Sequence, residues 1–326
     1  MSDRVLVTGG AGFIGSHLCE LLCQQGRRVT VLDDFSTGLR GSLDELRGKG
    51  WAIDVVEGSV VDGAAVQRAM QGVTKVVHLA ALPSVARSVE EPLATHHACA
   101  TGTLAILDAA RQQKARVVYA GSSSAYGNQA ALVKHEGLRE DPLSPYAVAK
   151  FSGELYCRAF ARVYDLPVVV TRFFNVFGPR QTAGSPYSGV VAAFCRALLR
   201  GEAPRCDGDG LQSRDFTYVE DVVQGVVQCL DAGSRGCETV NLAYGQATTV
   251  LDLYAELAAH AKKCLGLEHV PVPQHGPDRI GDVRHSLCDP SRARQLFGFA
   301  PRIGFAEGLR RTFDWYRTRS GGSQKP

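Results

Sequence analysis

The sequence lacks several patterns that would place the protein in a special class. It has no apolar run long enough to cross a membrane, no low-complexity segment and no internal repeat. A signal-peptide pattern is also absent, because the initial residues MSDRVLV run directly into a strand-like pattern. We therefore expect a cytoplasmic globular protein that has no membrane partner.

Paired cysteines are also missing. The chain contains 10 cysteines, but they are scattered and none forms a CxxC pair. Cys19 and Cys23 have the spacing of one helical turn, so they share a helix face. Because a cytoplasm keeps thiols reduced, we interpret most of the cysteines as small core residues. The sequence predicts no metal site.

Strong charge of either sign is absent as well. The formal net charge is +3, which is too weak to indicate nucleic acid or an anionic membrane as the main partner. With 326 residues, 45% apolar and 21% charged, the chain is typical of a folded globular protein. This length indicates two domains, or one large domain with a lobe.

Short apolar strand patterns alternate with helical patterns in the first half of the chain. The predicted strands are Arg4–Thr8, Arg28–Leu32, Ile53–Glu57, Lys75–Leu79, Arg116–Ala120 and Pro167–Thr171. The predicted helices are Phe13–Gln25, Thr101–Gln112 and Tyr146–Tyr164. Continuous apolar strands of this kind are typical of a parallel sheet covered on both faces. The sequence therefore predicts an α/β fold, a Rossmann-type doubly wound parallel sheet.

The pattern becomes less regular after Asn175, where glycine and proline become more frequent. Helices are predicted there at Val190–Arg200 and Leu251–Ala261. We expect a first domain over residues 1–172 and a smaller C-terminal lobe over residues 173–326, with the chain returning to the first domain near residues 215–245. Ligands of such folds bind beyond the carboxyl ends of the strands.

A glycine-rich turn follows the first predicted strand. Thr8–Gly15 reads TGGAGFIG, which places Gly9, Gly12 and Gly15 between the strand and the first helix. Glycines allow the backbone to approach a diphosphate at the partly positive amino terminus of a helix. The alternative is a tight turn without a ligand, because glycines are common between strands and helices.

The second predicted strand is followed by two acidic residues. Asp33 and Asp34 stand near the distance from the glycine turn at which an acid meets the ribose hydroxyls of an adenine dinucleotide. Two carboxylates also repel a 2′-phosphate, so NAD is favoured over NADP. Arg40 lies a little downstream and could offset this preference.

Tyr146 and Lys150 have the spacing of one helical turn and therefore share a helix face. An unperturbed tyrosine has a pKa of about 10 and is a poor base at neutral pH. A neighbouring cation favours the phenolate, which can then take a proton from an alcohol. By itself the YxxxK pattern also occurs by chance in many helices.

A run of serines, Ser122–Ser124, follows the strand RVVYA at the edge of the sheet where a ligand is expected. A hydroxyl there can hydrogen-bond the reacting oxygen. The alternative is a serine-rich turn whose hydroxyls bond their own backbone.

With TGGAGFIG, SSSAYG and SPYAVAK in one chain, the sequence resembles the extended short-chain dehydrogenase/reductase family over nearly its full length. More narrowly it resembles the UDP-hexose 4-epimerases, in particular the UDP-N-acetylglucosamine 4-epimerase-like subgroup. The resemblance implies a catalytic trio of Ser122, Tyr146 and Lys150. It implies that tightly bound NAD contacts Gly9, Gly12, Phe13, Ile14, Gly15, Asp33, Asp34, Leu79, Ala80, Ala81, Tyr146 and Lys150.

The resemblance also implies a set of substrate-binding residues. They are Ser84, Ser122, Ser123, Ser124, Tyr146, Asn175, Arg214, Arg279 and Ser286. Asn175 is expected near the diphosphate of the nucleotide sugar, and Arg214 and Arg279 are expected to clamp it, since guanidinium groups pair well with phosphate oxygens. For Arg214 a surface ion pair with Asp215 is the alternative.

The implied reaction is NAD-dependent epimerisation at C4 of a UDP-hexose through a transient 4-keto sugar. Ser286 is small and resembles the subgroup whose pocket admits an N-acetyl group, so UDP-GlcNAc/UDP-GalNAc is the expected pair and UDP-Glc/UDP-Gal a second one. The alternatives are a UDP-glucuronate decarboxylase or another nucleotide-sugar enzyme of the family, and a non-enzymatic NAD-binding regulatory protein. Nucleotide-sugar dehydratases carry acidic residues where this chain has Ser123 and Ser124.

Family members use two helices for a dimer interface, and these match the predicted helices Thr101–Gln112 and Tyr146–Tyr164. The resemblance therefore implies a homodimer. The chain departs from the family pattern at Ser59, Pro83 and Cys99, which bears on how cofactor and substrate are positioned.

Overall fold

Seven parallel strands form the main sheet in a computed structural model, which describes residues 3–182, 189–277 and 283–320. From one edge to the other the strands are β11 (Cys237–Leu242), β7 (Val168–Phe173), β5 (Arg116–Ser122), β4 (Lys75–His78), β1 (Arg4–Thr8), β2 (Arg28–Asp33) and β3 (Ile53–Glu57). The strand order reverses between β1 and β4, where Val5 lies opposite Lys75. Such a switch point opens a crevice at the carboxyl ends of the strands.

Helices cover both faces of this sheet. On one face α1 (Phe13–Gln24), α2 (Arg40–Gly48) and α9 (Val219–Asp231) bury an apolar layer that includes Leu18, Leu43 and Val222. On the other face α3 (Gly63–Ala69), α6 (Gly102–Gln113) and α7 (Pro145–Tyr164) bury a layer that includes Val66, Ile106 and Phe160. The predicted doubly wound α/β fold is confirmed.

The helical region before α6 is longer than predicted. The pattern suggests a start at Thr101, but α4 (Val85–Glu90), α5 (Pro92–His96) and a π-helical turn (His97–Thr101) come first. The hydroxyl of Thr103 donates to the carbonyl oxygen of Cys99 in this turn, at 2.5 Å. Polar residues interrupt the apolar periodicity there, so the sequence pattern did not reveal the extension.

A smaller lobe lies beyond the main sheet. Its sheet has the order β12 (Ala247–Thr249), β10 (Ser213–Tyr218), β14 (His285–Cys288) and β6 (Val133–Lys134), and β8 (Asn175–Phe177) also pairs with β10. The remaining elements are α8 (Val190–Leu199), β9 (Arg205–Asp207), α10 (Val250–Leu265), β13 (Gln274–Gly276), α11 (Ser291–Phe297), α12 (Phe305–Ser320) and a short 3-10 helix (Ser123–Tyr126). Helices α8, α10 and α12 enclose an apolar core of their own that contains Phe194, Leu257 and Phe313.

Two segments cross between the parts of the molecule. Strand β11 pairs with β7 in the main sheet, and α9 packs beside α1, although both come after the residues that enter the lobe. Conversely, Val133 of β6 lies opposite Leu287 of β14 in the lobe sheet. The two parts are therefore interleaved along the chain, and the domain boundary near residue 172 stays a prediction.

All 10 cysteines are free thiols and most of them are buried, as the sequence predicts. Among the residues that the structure describes, no helix combines the length and the apolar character needed to cross a membrane.

Candidate active site

A cleft of about 1040 Å³ opens at the carboxyl ends of the main-sheet strands and reaches the lobe. It brings together most of the residues that the sequence singles out. Those that line it are Gly9, Gly12, Phe13, Ile14, Gly15, Asp33, Asp34, Leu79, Ala80, Ala81, Ser84, Ser122, Tyr146, Lys150 and Asn175.

The glycine turn forms one end of the cleft. Gly9 has φ of +71°, and a Cβ atom at Gly15 would lie 2.1 Å from the carbonyl oxygen of Gly9. Side chains are thus excluded at both positions. Gly12 is the N-cap of α1 and provides no side-chain cap, so the first amide groups of the helix face the cleft without one. This end of the cleft fits the diphosphate of a dinucleotide.

The Asp33 carboxylate braces this turn. One of its oxygens accepts a hydrogen bond from the amide of Ala11 and the other from the amide of Phe35, each at 2.9 Å. Burial raises the pKa of Asp33, and these two amide bonds oppose that effect. Each carboxylate oxygen keeps a further lone pair for a ribose hydroxyl. Asp34 is exposed at the mouth of the cleft.

Arg40 is already engaged by other groups. Its guanidinium pairs with the carboxylate of Glu57 and stacks over the ring of Phe35, 3.9 Å from the ring centroid. A 2′-phosphate would have to compete with Glu57 for this cation. The structure therefore supports the preference for NAD over NADP that Asp33 and Asp34 indicate.

The three residues of the predicted Ser–Tyr–Lys trio line the same cleft. Ser122 ends β5, and Tyr146 lies in the first turn of α7, which begins with the capping hydroxyl of Ser144 and Pro145. Ser144 accepts from the amide of Ala147, which fixes where the helix starts. The side chain of Ser122 lies close enough to Tyr146 to lower the pKa of the phenol.

Burial dominates the electrostatics of this trio. Lys150 is 3% exposed, and its ammonium lies 4.5 Å from the centroid of the Tyr119 ring. Burial lowers the pKa of Lys150 and raises the pKa of Tyr146, while the nearby side chain of Ser122 lowers the latter. The phenol is thus protonated at neutral pH, and further positive charge in the cleft is needed before Tyr146 can act as a base.

A buried ion pair holds α7 in place beneath the site. The guanidinium of Arg172, which is fully buried at the end of β7, donates to both carboxylate oxygens of Glu154, at 3.0 and 2.6 Å. Glu154 lies about one turn after Lys150 on α7 and is also buried. The bidentate contact therefore sets the position of the helix that carries Tyr146 and Lys150.

The serine run Ser122–Ser124 agrees with both interpretations of its sequence, a hydrogen-bonded turn and a hydroxyl group that faces the cleft. The hydroxyl of Ser124 donates to the hydroxyl oxygen of Ser122 at 2.8 Å, and the amide of Ser124 does so at 3.2 Å. Ser123 begins the short helix that follows. The run is therefore a hydrogen-bonded turn, and at the same time it presents Ser122 to Tyr146 in the cleft.

Only some of the substrate-binding residues expected in the lobe line the cleft. Asn175 lies opposite Phe216 on β10, and both line the cleft. Arg214 and Ser286 lie opposite each other on β10 and β14 but are not among the described residues that line the cleft. Arg279 lies outside the described residues.

An ion pair between Arg214 and Asp215 is not the arrangement found. The guanidinium of Arg214 donates to the carbonyl oxygens of Ser213 and Arg284, at 2.8 and 3.1 Å. Asp215 is buried and accepts hydrogen bonds from the amides of Tyr244 and Gly245, at 3.0 and 2.9 Å. Successive residues of a strand point to opposite faces of the sheet, so the side chains of Arg214 and Asp215 lie on different faces of the lobe sheet.

The three positions that depart from the family pattern all lie at the site. Ser59 and Pro83 line the cleft, and Cys99 is buried against Tyr146 and Ala149. Ser84 lines the cleft too, and its hydroxyl caps α4 by accepting from the amide of Arg87 at 3.1 Å.

Sequence reasoning missed several polar residues of the cleft, among them Arg87 and Gln181. Arg87 lines the cleft and pairs with Glu91 at 2.9 Å. In the sequence, the four-residue spacing of the two indicates only an ion pair on a helix surface. Gln181 also lines the cleft, and its side-chain oxygen is buried without a hydrogen-bond partner within the described residues. Gln181 follows no periodic pattern, so no signal in the sequence could have found it.

The glycine turn suits a dinucleotide, and the trio that faces the same cleft suits proton transfer at a hydroxyl or carbonyl oxygen. These properties define a dinucleotide-dependent enzyme of the short-chain dehydrogenase/reductase class. Residues 5–243 match the model of the NAD dependent epimerase/dehydratase family, and the chain belongs to this family.

Characterised relatives match along nearly the whole chain. A UDP-glucose 4-epimerase of Mycolicibacterium smegmatis is 35% identical over 97% of this chain and 99% of its own length. A UDP-N-acetyl-alpha-D-glucosaminuronate decarboxylase of Bacillus cytotoxicus is 31% identical over 97% of this chain and 98% of its own length. A dTDP-glucose 4,6-dehydratase of Streptomyces niveus is 32% identical over 96% of this chain and 93% of its own length, so at least three reactions are represented among similar proteins.

A solved structure superimposes closely. The UDP-N-acetylglucosamine 4-epimerase of Methanobrevibacter ruminantium, in complex with UDP-N-acetylmuramic acid, has a TM-score of 0.89 and 34% identity, and the match covers 98% of this chain and 100% of that chain. The comparisons confirm the family resemblance and NAD as the cofactor.

Proposed function

We propose that the protein interconverts UDP-GlcNAc and UDP-GalNAc by NAD-dependent epimerisation at C4. The observation that carries this proposal is the Ser122–Tyr146–Lys150 trio in the same cleft as the glycine turn. NAD, when bound, supplies reversible hydride acceptance at the sugar C4. The same trio would also handle UDP-Glc and UDP-Gal.

The residues of the chain supply proton transfer and orientation. Tyr146 takes the proton of the O4 hydroxyl as C4 becomes a ketone, and returns it when the 4-keto sugar is reduced on its other face. Ser122 hydrogen-bonds O4. The positive charge of Lys150, together with the positive charge of the bound cofactor, lowers the pKa of the Tyr146 phenol. Asn175, Arg214 and Arg279 hold the diphosphate while the sugar turns.

Epimerisation is favoured over dehydration by the groups next to Ser122. Elimination beside the ketone needs an acid or base close to the sugar, and this chain has Ser123 and Ser124 where dehydratases carry carboxyl groups. The hydroxyl of Ser124 is occupied by its hydrogen bond to Ser122. Neither serine can replace a carboxylate.

Decarboxylation of a UDP-sugar acid is the second candidate. It is supported by the relative from Bacillus cytotoxicus and by Arg87, a cationic side chain in the lining of the cleft. Such a cation could hold a sugar carboxylate. Its guanidinium is paired with Glu91, however, which reduces its capacity to hold a second carboxylate.

The acetylated sugars are favoured by Ser286. Ser286 lies opposite Arg214 on β14 and β10, and a small residue at this position would admit an acetamido group where a larger one would restrict the sugar. The archaeal structural neighbour, which is named for UDP-N-acetylglucosamine and holds UDP-N-acetylmuramic acid, supports a pocket that accepts an acetamido group.

We also propose that the protein is a cytoplasmic homodimer. Helix α7 exposes the apolar side chains of Val148, Leu155 and Val163, which a second copy would cover. Mass measurement by light scattering tests this, and a monomer would contradict it.

The reaction is tested by incubating the protein separately with UDP-GlcNAc, UDP-Glc and UDP-GlcA, and by resolving the products by NMR. We expect UDP-GalNAc from the first substrate. UDP-xylose from UDP-GlcA, without any epimer from the other two, would establish the decarboxylase instead. Absence of all products with NAD still bound would indicate a regulatory protein.

A further inference from the structure

Three side chains with different donor atoms converge where α10 packs against α12. His260 and Cys264 lie one turn apart on α10, and Asp314 comes from α12. None of the three belongs to the described lining of the cleft, so the proposed reaction does not use them. Their role has to be sought in the cluster itself.

The distances between their donor atoms are short. Nε2 of His260 lies 3.2 Å from Oδ1 of Asp314 and 3.4 Å from Sγ of Cys264, and Sγ lies 3.9 Å from Oδ1. In a tetrahedral zinc site, bond lengths of about 2.0 to 2.3 Å place neighbouring ligand atoms about 3.3 to 3.6 Å apart. The three donor atoms therefore stand close to the corners that one zinc ion requires.

The arrangement does not suit a nucleophilic relay. In a Cys–His–Asp relay the thiol and the carboxylate contact opposite nitrogens of the imidazole ring. Here the thiol of Cys264 and the carboxylate of Asp314 both lie nearest to Nε2 of His260. Sγ of Cys264 also lies 3.8 Å from Nδ1, farther than from Nε2, so the thiol and the carboxylate do not take opposite ring nitrogens, and one donor atom from each of the three residues lies within 4.8 Å of the others.

The surrounding packing holds the cluster in place. The His260 side chain is 15% exposed, and its ring packs edge-on against Phe313 with 5.5 Å between the ring centroids. Phe313 is fully buried in the core that joins α10 to α12. Asp314 is 42% exposed, so an ion from solvent can reach the site.

We propose that His260, Cys264 and Asp314 bind a zinc ion, with water as the fourth ligand. Imidazole nitrogen, thiolate sulfur and carboxylate oxygen are the donors that zinc takes in proteins, and this mixed set suits harder ions such as Mg²⁺ poorly. Binding releases the proton of the Cys264 thiol to solvent. The ion links α10 to α12 and so stabilises the lobe, a property separate from the proposed function.

Among the residues that the structure describes, Arg317 is a cation that contacts the cluster. Its guanidinium lies 3.4 Å from Oδ1 of Asp314, the oxygen that faces His260. Both side chains are partly exposed, and such pairs contribute little to stability. Zinc therefore competes with Arg317 for Asp314, and Arg317→Gln should bind zinc more tightly than the native chain.

The test uses the full-length, untagged protein with its NAD, treated with a chelator and then titrated with Co²⁺. We expect one equivalent of Co²⁺ to produce a thiolate-to-cobalt charge-transfer band and the visible bands of a tetrahedral site, and Zn²⁺ to abolish both. Cys264→Ser should remove the charge-transfer band. Cys237→Ser, which changes another partly exposed cysteine on β11, is the matched control and should keep it.

His260→Gln and Asp314→Asn should weaken Co²⁺ binding by more than about tenfold, because loss of a residue that only hydrogen-bonds a metal ligand already lowers metal affinity about 10- to 100-fold. Zn²⁺ should raise the melting temperature of the native chain but not of these variants. If Cys264→Ser does not fold, Asp314→Asn decides, because its side chain is partly exposed. Absence of cobalt bands in the native protein, or their persistence in Asp314→Asn at unchanged affinity, would overturn the proposal.

Discussion

Ser124 donates its hydroxyl hydrogen to the hydroxyl oxygen of Ser122, at 2.8 Å. Since the Ser122 oxygen accepts from Ser124, the Ser122 hydrogen is left to point toward Tyr146 and the oxygen of the substrate. In the proposed reaction, Ser124 thus orients a residue that is expected to contact the reacting oxygen. Ser124 is in this sense a positioning residue for the proposed reaction.

Replacing Ser124 with alanine should slow turnover without weakening substrate binding. A hydrogen bond of this kind contributes about 1 kcal/mol, which corresponds to about fivefold in kcat. KM for the UDP-sugar should stay unchanged, because Ser122 itself is retained. Steady-state kinetics measure both values. Ser123→Ala is the control, and an equal loss in both variants would contradict the orienting role.

Tyr146→Phe should abolish most of the activity and keep the cofactor. Loss of a general base costs about 10² to 10⁴ in rate, whereas the glycine turn and Asp33 are unchanged. Turnover of UDP-GlcNAc is measured alongside the nucleotide released on heating. Near-native activity in this variant would show that another group takes the O4 proton.

The size of residue 286 should determine which sugar pair is accepted. Ser286→Tyr should suppress turnover of UDP-GlcNAc and spare UDP-Glc, because the ring fills the space expected for the acetamido group. Ser286→Ala keeps the small volume and should act on both. The ratio of kcat/KM for the two substrates is the measurement. Equal losses for both in the tyrosine variant would exclude a selective role.

Stability should fall as the solution is acidified below neutral pH. His78 is buried between the hydroxyls of Thr8 and Thr103, at 2.6 and 3.0 Å, and burial lowers the pKa of His78 to about 3. Between that value and about 6.5 the unfolded chain binds a proton that the folded chain does not, so the free energy of unfolding decreases as the pH falls. His17, whose pKa burial lowers to about 4, acts in the same direction.

From pH 7.5 to 5.5 the expected loss from His78 is about 1.4 kcal/mol. Urea unfolding at the two pH values measures it. His78→Gln should show a smaller difference between the two, since only His17 then remains of this pair. A difference that does not change in the variant would mean that other groups cause the acid sensitivity.

Breaking the ion pair under α7 should be costly. Glu154→Gln removes the bidentate carboxylate partner of the buried Arg172, which keeps a contact with Glu140 at 2.5 Å. The loss should therefore lie below the value of about 3 to 5 kcal/mol that results when a buried pair loses one member. Urea unfolding measures the change in stability. A double variant with Arg172→Met should lose less than the sum of the two single losses. Additive losses would show that the two residues act independently.

Local patterns were sufficient for six of the seven strands of the main sheet, all except β11, and for the centre of the cleft. The apolar runs of β1 and β5, the glycines after β1 and the spacing of Tyr146 and Lys150 are all visible within a few residues of sequence. Parallel strands end at one edge of their sheet, and this rule alone brings Ser122 near the glycine turn. These predictions needed only patterns formed by residues that are close together in the sequence.

Long-range contacts were not predictable in the same way. The amide groups that Asp215 holds lie about 30 residues away on the chain, and Asp314 lies 50 residues from Cys264. Helix and strand periodicities in the sequence carry no information about contacts between residues so far apart. The π-helical turn around Cys99 was missed for a different reason, because polar residues hide its start.

Strand β6 has a consequence for building hybrid proteins from this scaffold. Val133 and Lys134 come from the loop between Ser122 and Tyr146, yet they pair with Leu287 and Cys288, directly after Ser286. A chimera that exchanged everything beyond residue 173 would give β14 a foreign neighbour. The modular unit for exchanging substrate preference is therefore discontinuous and includes β6 together with the C-terminal half.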